Sequence, residues 1–191
     1  MAITASQARA QLFPLIEQVN EDMKPVVITS KAGNAVLISQ SEYESMIETA
    51  YLLSTPANRE WLLESLAQAD RGELIPLTLP LQAAQKPAKA PKKGKWTPVA
   101  KAKLSKVLMT QRASKDIEYW LKIGNEKKIA RINALIESCL VDPLSGIGVP
   151  EQLRFRDEAT FSRRIDKTHR LVYRVDGKDL IIISARFHYE K

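Results

Sequence analysis

The stretch HRLVYRVDGKDLIIISARFH, residues 169–188, decides the fold of the second half of this chain. It holds two β-branched apolar runs, and Asp176-Gly177 between them is typical of a β-hairpin turn. Arg186 and His188 follow the second run, close to the end of the sequence. The chain has only two histidines. Two interpretations of His188 are therefore open, a residue of a frayed C-terminal tail and a residue of a functional site.

The pairing register of this hairpin decides whether Arg170 and His188 lie on the same face of the sheet. Side chains alternate between the two faces of a strand, so the length of the turn decides which residues share a face. A three-residue turn with Gly177 at its bend would place Arg170 and His188 on one face, and a two-residue turn would place them on opposite faces. A site that uses both residues therefore requires the three-residue turn.

The rest of the second half predicts one strand, two helices and two more strands before the hairpin. KVLMT is a short apolar strand, ASKDIEYWLKIG is the first helix, and EQLRF and TFSRRID are the two strands. The second helix ends before Pro143 and carries an apolar stripe at spacings of three and four. The stripe is Ile129, Ile132, Leu135, Ile136, Cys139 and Leu140. The order βααββββ predicts two helices packed on an antiparallel sheet.

A lysine-rich stretch separates the two halves. Residues 86–106 contain eight lysines and no acidic residue, so their charge of +8 within a chain of +7 leaves −1 for everything else. Pro and Ala are frequent there and apolar periodicity is absent, as in a semi-extended linker. We predict a linker at 86–104. Two interpretations of its charge stay open, a solvated tether and an arm that grips nucleic acid.

The first half begins with a short strand and a helix. Thr4 and Gln7 fit a capping box at the start of that helix, and Pro14 predicts a kink within it. The buried stripe is expected to be Ala8, Leu12, Ile16 and Val19.

A β-hairpin and two more helices follow. The β-branched runs PVVITS and AVLIS flank Gly33, which suits a hairpin turn. Ser41 and Glu44 fit a second capping box, and Thr55 precedes Pro56 as the N-cap of the next helix. Beyond it, ELIPLTLPLQ alternates leucine with proline, so it is excluded from a central strand and is expected to lie as an extended ribbon on another surface.

Composition excludes several classes of protein. With 45% apolar and 27% charged residues the chain can form a core, and no apolar run reaches the ~18 residues of a membrane span. The N-terminal residues lack a basic region followed by an apolar block, so we expect no secretory signal, a cytoplasmic protein and no membrane partner. A single cysteine excludes an internal disulfide and a multi-cysteine metal site. We expect neither a metal nor a cofactor.

The words ITASQARAQL, PVVITSKAGNAVLIS and SEYESMIETAYLLSTPAN lie within roughly the first 70 residues. By these words the first half resembles the Phd/YefM antitoxin family. The resemblance implies a homodimer that binds a palindromic operator and represses its own transcription. On the matching positions it implies DNA contacts by Ser6, Arg9 and Lys31, although Ser30 stands where relatives often carry arginine.

The same resemblance implies that a C-terminal extension of the antitoxin wraps a toxin. We therefore expect a DNA-binding and dimerisation domain at 1–55 and a toxin-neutralising helix and ribbon at 56–85. The residues expected to cover the toxin are Trp61, Leu62, Leu66, Leu74, Leu77 and Leu79.

The words GIGVPEQL, FSRRIDKTHRLVY and ARFHY occur in this order in the second half. By them residues 105–191 resemble the YoeB toxins of the RelE/ParE superfamily, which have a microbial RNase fold. The resemblance implies a ribosome-dependent endoribonuclease that cuts mRNA in the ribosomal A site. It implies catalytic roles for Glu151, Arg170, His188, Tyr189 and Arg164, and RNA contacts for Arg154, Arg163 and Arg186.

These residue types suit RNA cleavage without a metal. Glu151 would remove the 2′-hydroxyl proton, Arg170 would stabilise charge on the phosphate oxygens, and His188 would protonate the departing 5′-oxygen. The unperturbed imidazole pKa of about 6.5 lets a histidine donate and recover a proton near neutral pH. The site interpretation of His188 is therefore favoured over the frayed tail.

Two hypotheses follow for the whole α+β, two-domain chain. In the first, it is a latent mRNA endonuclease, masked within the chain or across a dimer and released by a cellular protease, and its antitoxin half represses its operon. In the second, it is a DNA-binding autorepressor whose permanently masked toxin half is a silent structural or corepressor module. Expected partners are operator DNA, the ribosome with its mRNA, a second copy of the chain and the protease.

Overall fold

The computed structural model describes residues 1–77, 104, 106–154 and 159–188. The described residues form two compact units. The first unit ends at Ile47 and the second begins at Glu48. Each unit combines helices with a sheet, which confirms the α+β class. Most of the predicted linker at 86–104 lies outside the described residues. Among the described helices none is long and apolar enough to cross a bilayer.

The first unit is a three-stranded sheet with helices. Its elements are β1 (Ala2–Thr4), α1 (Ala5–Ala10), α2 (Leu12–Glu21), β2 (Val26–Thr29), β3 (Ala35–Leu37) and the first part of α3 (Gln40–Leu52). The strand order is β1-β2-β3, with β1 parallel and β3 antiparallel to β2. The buried core consists of Ile3, Ala8, Leu15, Val19 and Val26.

The single helix predicted near the N-terminus is broken into two helices. As a result, the residues that it buries differ from the predicted stripe. Proline has no N–H and its ring clashes with the carbonyl four residues earlier, so Pro14 is incompatible with a helix that continues through Ala10. The chain leaves helical geometry at Gln11, with φ −121° and ψ 26°, between α1 and α2. This break rotates the apolar positions. Leu12 and Ile16, predicted to be buried, are 46% and 42% exposed.

The start of α3 lies earlier than predicted. The hydroxyl of Ser39 accepts a hydrogen bond from the backbone N–H of Glu42 at 3.2 Å, so Ser39 caps the helix in place of the predicted Ser41. Both serines precede a glutamate by three residues, and the capping pattern alone did not discriminate between them. The next helix, α4 (Pro56–Asp70), begins as predicted, because the Thr55 hydroxyl accepts from the Asn58 N–H at 3.2 Å.

The second unit is built on a six-stranded sheet. Beyond the end of α3 and α4 it contains β4 (Leu74–Pro76), β5 (Lys106–Thr110), α5 (Gln111–Lys122), α6 (Glu126–Val141), β6 (Glu151–Gln152), β7 (Thr160–Arg164), β8 (Arg170–Asp176) and β9 (Asp179–Ser184). The strand order is β4-β5-β9-β8-β7-β6. The sheet is mixed and not antiparallel throughout as predicted, because β5 runs parallel to β9 after the chain crosses over through α5 and α6.

Both faces of this sheet are covered. On one face α5 and α6 pack against the sheet, with Leu135 and Cys139 of α6 touching Leu171 and Tyr173 in one buried cluster. The opposite face carries a helical layer formed by residues 48–70, which we call the α3–α4 layer. Its buried leucines pack with apolar side chains of the sheet. These residues are Leu52, Leu62 and Leu66 with Leu153, Val172, Ile181, Ile183 and Phe187. Burial on both faces explains the continuous apolar run of β9.

The described part of the predicted ribbon, residues 73–77, forms an edge strand. Leu74 pairs with Thr110 and Pro76 pairs with Leu108, so β4 adds to β5 in antiparallel orientation. The Leu77 N–H extends the ladder by donating to the Val107 carbonyl at 3.0 Å. Proline is tolerated here because one side of an edge strand has no ladder partner.

Candidate functional site

The sheet register brings the predicted chemistry to one face. Glu151 on β6 pairs with Ser162 on β7, and Arg164 on β7 pairs with Arg170 on β8. Paired residues project from the same face of a sheet, and so do residues two apart along a strand. Glu151, Ser162, Arg164 and Arg170 therefore share the face that carries Val172, which is the face beneath the α3–α4 layer.

The same alternation removes Arg163 from the predicted RNA-binding set. Arg163 and Arg164 are consecutive in β7, so they point to opposite faces. Arg163 is completely buried on the α6 side. Its guanidinium donates to the carbonyls of Ile147, Asp142 and Ser145 at 2.7–2.8 Å. The side chain thus fixes the loop that leads into β6, and the prediction that it contacts RNA is wrong.

The hairpin turn also differs from the expected one. Only Gly177 and Lys178 form the turn, since the residues on either side of them are paired. A β-bulge next to Val172 then shifts the register. His188 lies beyond the end of β9, where strand alternation no longer applies. The two-residue turn is therefore compatible with a shared site, and Arg170 and His188 both contact the α3–α4 layer.

Arg170 forms a buried ion pair with Glu48 of this layer. The Arg170 Nε donates to Glu48 Oε1 at 2.6 Å, and Nη2 lies 3.4 Å from Oε2. The two side chains are 8% and 6% exposed. The Ser162 hydroxyl donates to the same Oε1 at 2.7 Å. A guanidinium binds carboxylates and phosphates through the same two-point geometry, so the Glu48 carboxylate occupies the position of a phosphate ligand.

Tyr51 connects the Arg170 end of the site to the C-terminal tail. The Arg170 Cζ lies 4.9 Å from the centroid of the Tyr51 ring. The same ring stacks on Phe187, with 4.9 Å between centroids. The Tyr51 hydroxyl donates to the Thr168 carbonyl at 2.7 Å. Because Phe187 directly precedes His188, Tyr51 contacts both Arg170 and the segment that carries His188.

His188 is enclosed by α4 and α5. Its ring stacks on the Trp61 indole with 4.0 Å between centroids, and its Nε2 lies 2.8 Å from Asp116 Oδ1. Its backbone N–H donates to Asn58 Oδ1 and its carbonyl accepts from the Thr55 hydroxyl, both at 2.9 Å. The residue is only 9% exposed. The structure therefore describes a fixed side chain, not a frayed tail.

Comparison with known proteins divides the chain into two parts. Residues 1–72 match the antitoxin Phd_YefM of type II toxin–antitoxin systems, and residues 109–189 match the YoeB-like toxin of bacterial type II toxin–antitoxin systems. The first part is 56% identical over 73 residues to the antitoxin YefM of Streptomyces coelicolor, a match that covers 38% of this chain and 84% of the relative. The second part is 39% identical over 84 residues to the toxin YoeB of the same organism, covering 44% of this chain and 99% of the relative.

The chain belongs to both families. A chain of a YoeB–YefM complex from Staphylococcus aureus is 37% identical, with 44% of this chain and 95% of that chain covered and a TM-score of 0.41. We call the residues before the lysine-rich stretch the antitoxin part and those after it the toxin part. Glu48 and Trp61 thus come from the antitoxin part of this fusion, and Arg170 and His188 come from the toxin part.

The remaining predicted residues of the toxin part have varied surroundings. Arg164 is exposed, and its carbonyl accepts from Arg131 at 3.3 Å. Arg154 is exposed, and its backbone N–H donates to the Thr49 hydroxyl at 2.9 Å. The Arg186 guanidinium lies 3.8 Å from the centroid of the Tyr119 ring. Tyr189 lies outside the described residues, as does Leu79 of the predicted neutralising set.

The predicted DNA-binding residues of the antitoxin part lie in the first unit and are all exposed. Ser6 and Arg9 lie on α1, and Lys31 lies in the turn between β2 and β3. Thr4 caps α1 as predicted, with both hydrogen bonds of the capping box present. Contact with DNA stays a prediction for these three residues.

His169, the second histidine, supports the tail that carries His188. Its Nδ1 accepts from the Phe187 N–H at 3.1 Å, and its ring meets Trp120 edge-on at 4.9 Å. Burial lowers the pKa of His169 to about 4, and the positive charges of Lys128 and Arg186 contribute in the same direction. The ring is therefore neutral at physiological pH, as an acceptor at Nδ1 requires.

Sequence reasoning missed Glu48 and Asp116. Glu48 lies in the word SEYESMIETAYLLSTPAN, but nothing in its spacing distinguishes it from the other glutamates of that word. Asp116 carried a detectable signal. It lies in the buried stripe of α5 with Ala113, Ile117 and Trp120, and an acidic residue in an apolar stripe needs a buried partner.

Proposed function

We propose that the toxin part is a ribosome-dependent, metal-independent mRNA endonuclease, held latent by the antitoxin part of the same chain. The observation that carries this proposal is the contact of Glu48 with Arg170 and of Trp61 with His188. The two toxin residues best suited to phosphate binding and proton donation are the ones that the antitoxin part covers.

The chemistry assigns one role to each side chain. Glu151 takes the proton of the 2′-hydroxyl, and the 2′-oxygen attacks the phosphorus as the bond to the 5′-oxygen breaks. Arg170 stabilises the charge on the non-bridging oxygens, with the exposed Arg164 on the same sheet face. His188 gives a proton to the departing 5′-oxygen. Tyr189 stacks on a base or orients the phosphate.

Masking follows from competition for these groups. A substrate phosphate must displace the Glu48 carboxylate from Arg170, and the two anions cannot share the guanidinium within a buried site. Trp61 covers a ring face of His188. Tethering keeps the effective concentration of the masking segment at about the millimolar range, so dilution does not release it. Activation therefore needs a cellular protease that cuts the linker or the antitoxin part.

The antitoxin part has a second role in this proposal, as an operator-binding autorepressor. Ser6, Arg9 and Lys31 contact DNA, and the first unit forms a homodimer. Exposed apolar side chains on α2 support the dimer, because Leu12, Phe13 and Ile16 are 46%, 80% and 42% exposed. Gel shifts on the upstream DNA with Arg9→Ala test this role, and unchanged binding would remove Arg9 from the contact set.

The central experiment uses the full chain with ribosomes and mRNA. Cleavage is mapped before and after a protease cuts within residues 86–104 and then degrades the antitoxin part. We expect cuts only after digestion, and none with His188→Ala. Lys122→Ala, an exposed position of α5, serves as the control and should cut like wild type. A digested wild type that leaves mRNA intact would contradict the proposal.

That negative result would favour the second candidate function. The apolar cluster between the two parts, centred on Leu62 and Leu66 with Val172 and Ile183, supports a permanent association. In this alternative the toxin half is a structural or corepressor module, and gel shifts would detect DNA binding by a chain with no nuclease activity.

A further inference from the structure

Asp116 is a buried acidic residue to which the proposed mechanism gives no role. It lies on α5 and has no exposed surface. A buried carboxylate is stable only when donors satisfy its oxygens. The groups that bond to the Asp116 carboxylate therefore indicate the role of this residue.

Two donors and the His188 imidazole surround the Asp116 carboxylate. The Ser184 hydroxyl and the Ala185 N–H both lie 2.9 Å from Oδ2. The His188 Nε2 lies 2.8 Å from Oδ1. Two donors thus fix the orientation of the carboxylate, and the remaining oxygen is directed at the imidazole.

All three groups belong to the toxin part. Removal of the antitoxin part takes away Trp61, Asn58 and Thr55 from His188 but leaves its contact with Asp116. If His188 moved away, Oδ1 would remain buried without this partner, which is unfavourable. The contact between Asp116 and His188 should therefore persist in the released enzyme.

We propose that Asp116 is a positioning residue that holds His188 with its Nε2 protonated and leaves Nδ1 to exchange the proton with RNA. This inference rests on the proposed function. In the acid step the Nδ1 proton of the imidazolium passes to the 5′-oxygen, and the Nε2 proton stays in the hydrogen bond to Asp116.

The first test reads the proton position directly. Nitrogen-15 NMR of the full wild-type chain, at a pH where the ring is neutral, should show the His188 proton on Nε2. In Asp116→Asn the amide can keep its oxygen towards Ser184 and Ala185, so its NH₂ faces Nε2 and the proton should move to Nδ1. Lys122→Ala, at an exposed position of α5, is the control and should keep the proton on Nε2. A wild-type ring protonated on Nδ1 would overturn the proposal.

The second test measures turnover of mRNA after digestion of the full chain. Asp116→Asn should lower kcat on the order of 10²-fold to 10⁴-fold, as for a histidine held in the wrong tautomer, with little change in KM. Lys122→Ala should stay close to wild type. Equal kcat for Asp116→Asn and wild type would refute the positioning role while the nuclease proposal stands. If digested wild type does not cut, the nuclease proposal fails and the NMR result still decides the proton position.

Discussion

The α3–α4 layer holds the two ends of the candidate site by different forces. At Arg170 it supplies a carboxylate, which forms a buried two-point ion pair. At His188 it supplies the indole of Trp61, while the polar contacts of Asn58 and Thr55 go to the backbone of His188 and not to its ring. One end is held through charge and the other through ring contact.

This difference has an energetic consequence. Removing one partner of a buried ion pair costs about 3–5 kcal/mol, because the other charge stays buried. An aromatic pair contributes about 0.5–1.5 kcal/mol beyond the area that it buries. Loss of the Glu48 carboxylate should therefore cost more than loss of the ring contact between Trp61 and His188.

The largest expected effect tests the charged end. Glu48→Ala should lower the free energy of unfolding by about 3–5 kcal/mol, measured by denaturant titration of the full chain. Glu60→Ala, at an exposed position of α4, is the control and should change it by less than about 0.5 kcal/mol. Equal effects of the two substitutions would contradict a stabilising ion pair between Glu48 and Arg170.

The next effect tests the apolar contact between the two ends. Leu66 is fully buried, and Leu66→Ala should lower the free energy of unfolding by about 2–5 kcal/mol through lost burial and a cavity. Leu63 lies in the same helix and is 39% exposed, so Leu63→Ala removes the same atoms from a site in contact with water. Thermal unfolding should therefore show a clearly smaller shift for Leu63→Ala, and comparable shifts would mean that α4 is not docked through Leu66.

A smaller effect tests the aromatic end. Trp61→Ala should cost at least about 0.5–1.5 kcal/mol more than Trp61→Phe, because phenylalanine preserves a ring on His188 and part of the buried apolar area. It should also speed modification of His188 by diethyl pyrocarbonate, quantified by mass spectrometry with His169 as the internal reference. Unchanged modification in Trp61→Ala would show that the indole does not cover the imidazole.

The last test is a pH dependence at the His188 end. The pKa of His169 is about 4 in the folded chain and about 6.5 when unfolded. The unfolded chain therefore binds the extra proton between these values, and the contribution of His169 to stability is lost as the pH falls from 6.5 towards 4.

His169→Asn isolates that contribution from the carboxylates that titrate in the same range. Its amide oxygen can accept from the Phe187 N–H in place of Nδ1 but does not titrate. The loss of stability between pH 6.5 and 4 should therefore be shallower in His169→Asn, as measured by denaturant titrations across this range. Parallel curves for variant and wild type would show that His169 contributes nothing to it.

Sequence predicted the elements and families well, and failed where a single position depended on tertiary partners. The consecutive Arg163 and Arg164 illustrate the limit. Both suit RNA by charge, yet strand alternation lets only one face the site. Strand alternation could be read from the sequence, and it excludes one of the two arginines from the site. Identifying which one required the pairing of β7 with β6 and β8.

Other features depend on contacts that no local pattern encodes. The bulge that alters the hairpin register has no residue signature in β8 or β9. Glu48 finds Arg170 across 122 positions of the chain, so nothing near Glu48 predicts the pair. Leu12 and Ile16 matched helical periodicity, but that prediction assumed an unbroken helix, and the break at Gln11 changed which residues face the core.

The pairing of β4 with β5 gives the antitoxin part a protective role against aggregation. With β4 in place, Leu108 and Met109 of β5 are paired on both sides, to β4 and to β9. Proteolysis of the antitoxin part would leave a bare sheet margin, and such margins recruit strands from other molecules. A toxin part freed of β4 should therefore self-associate through the exposed edge of β5.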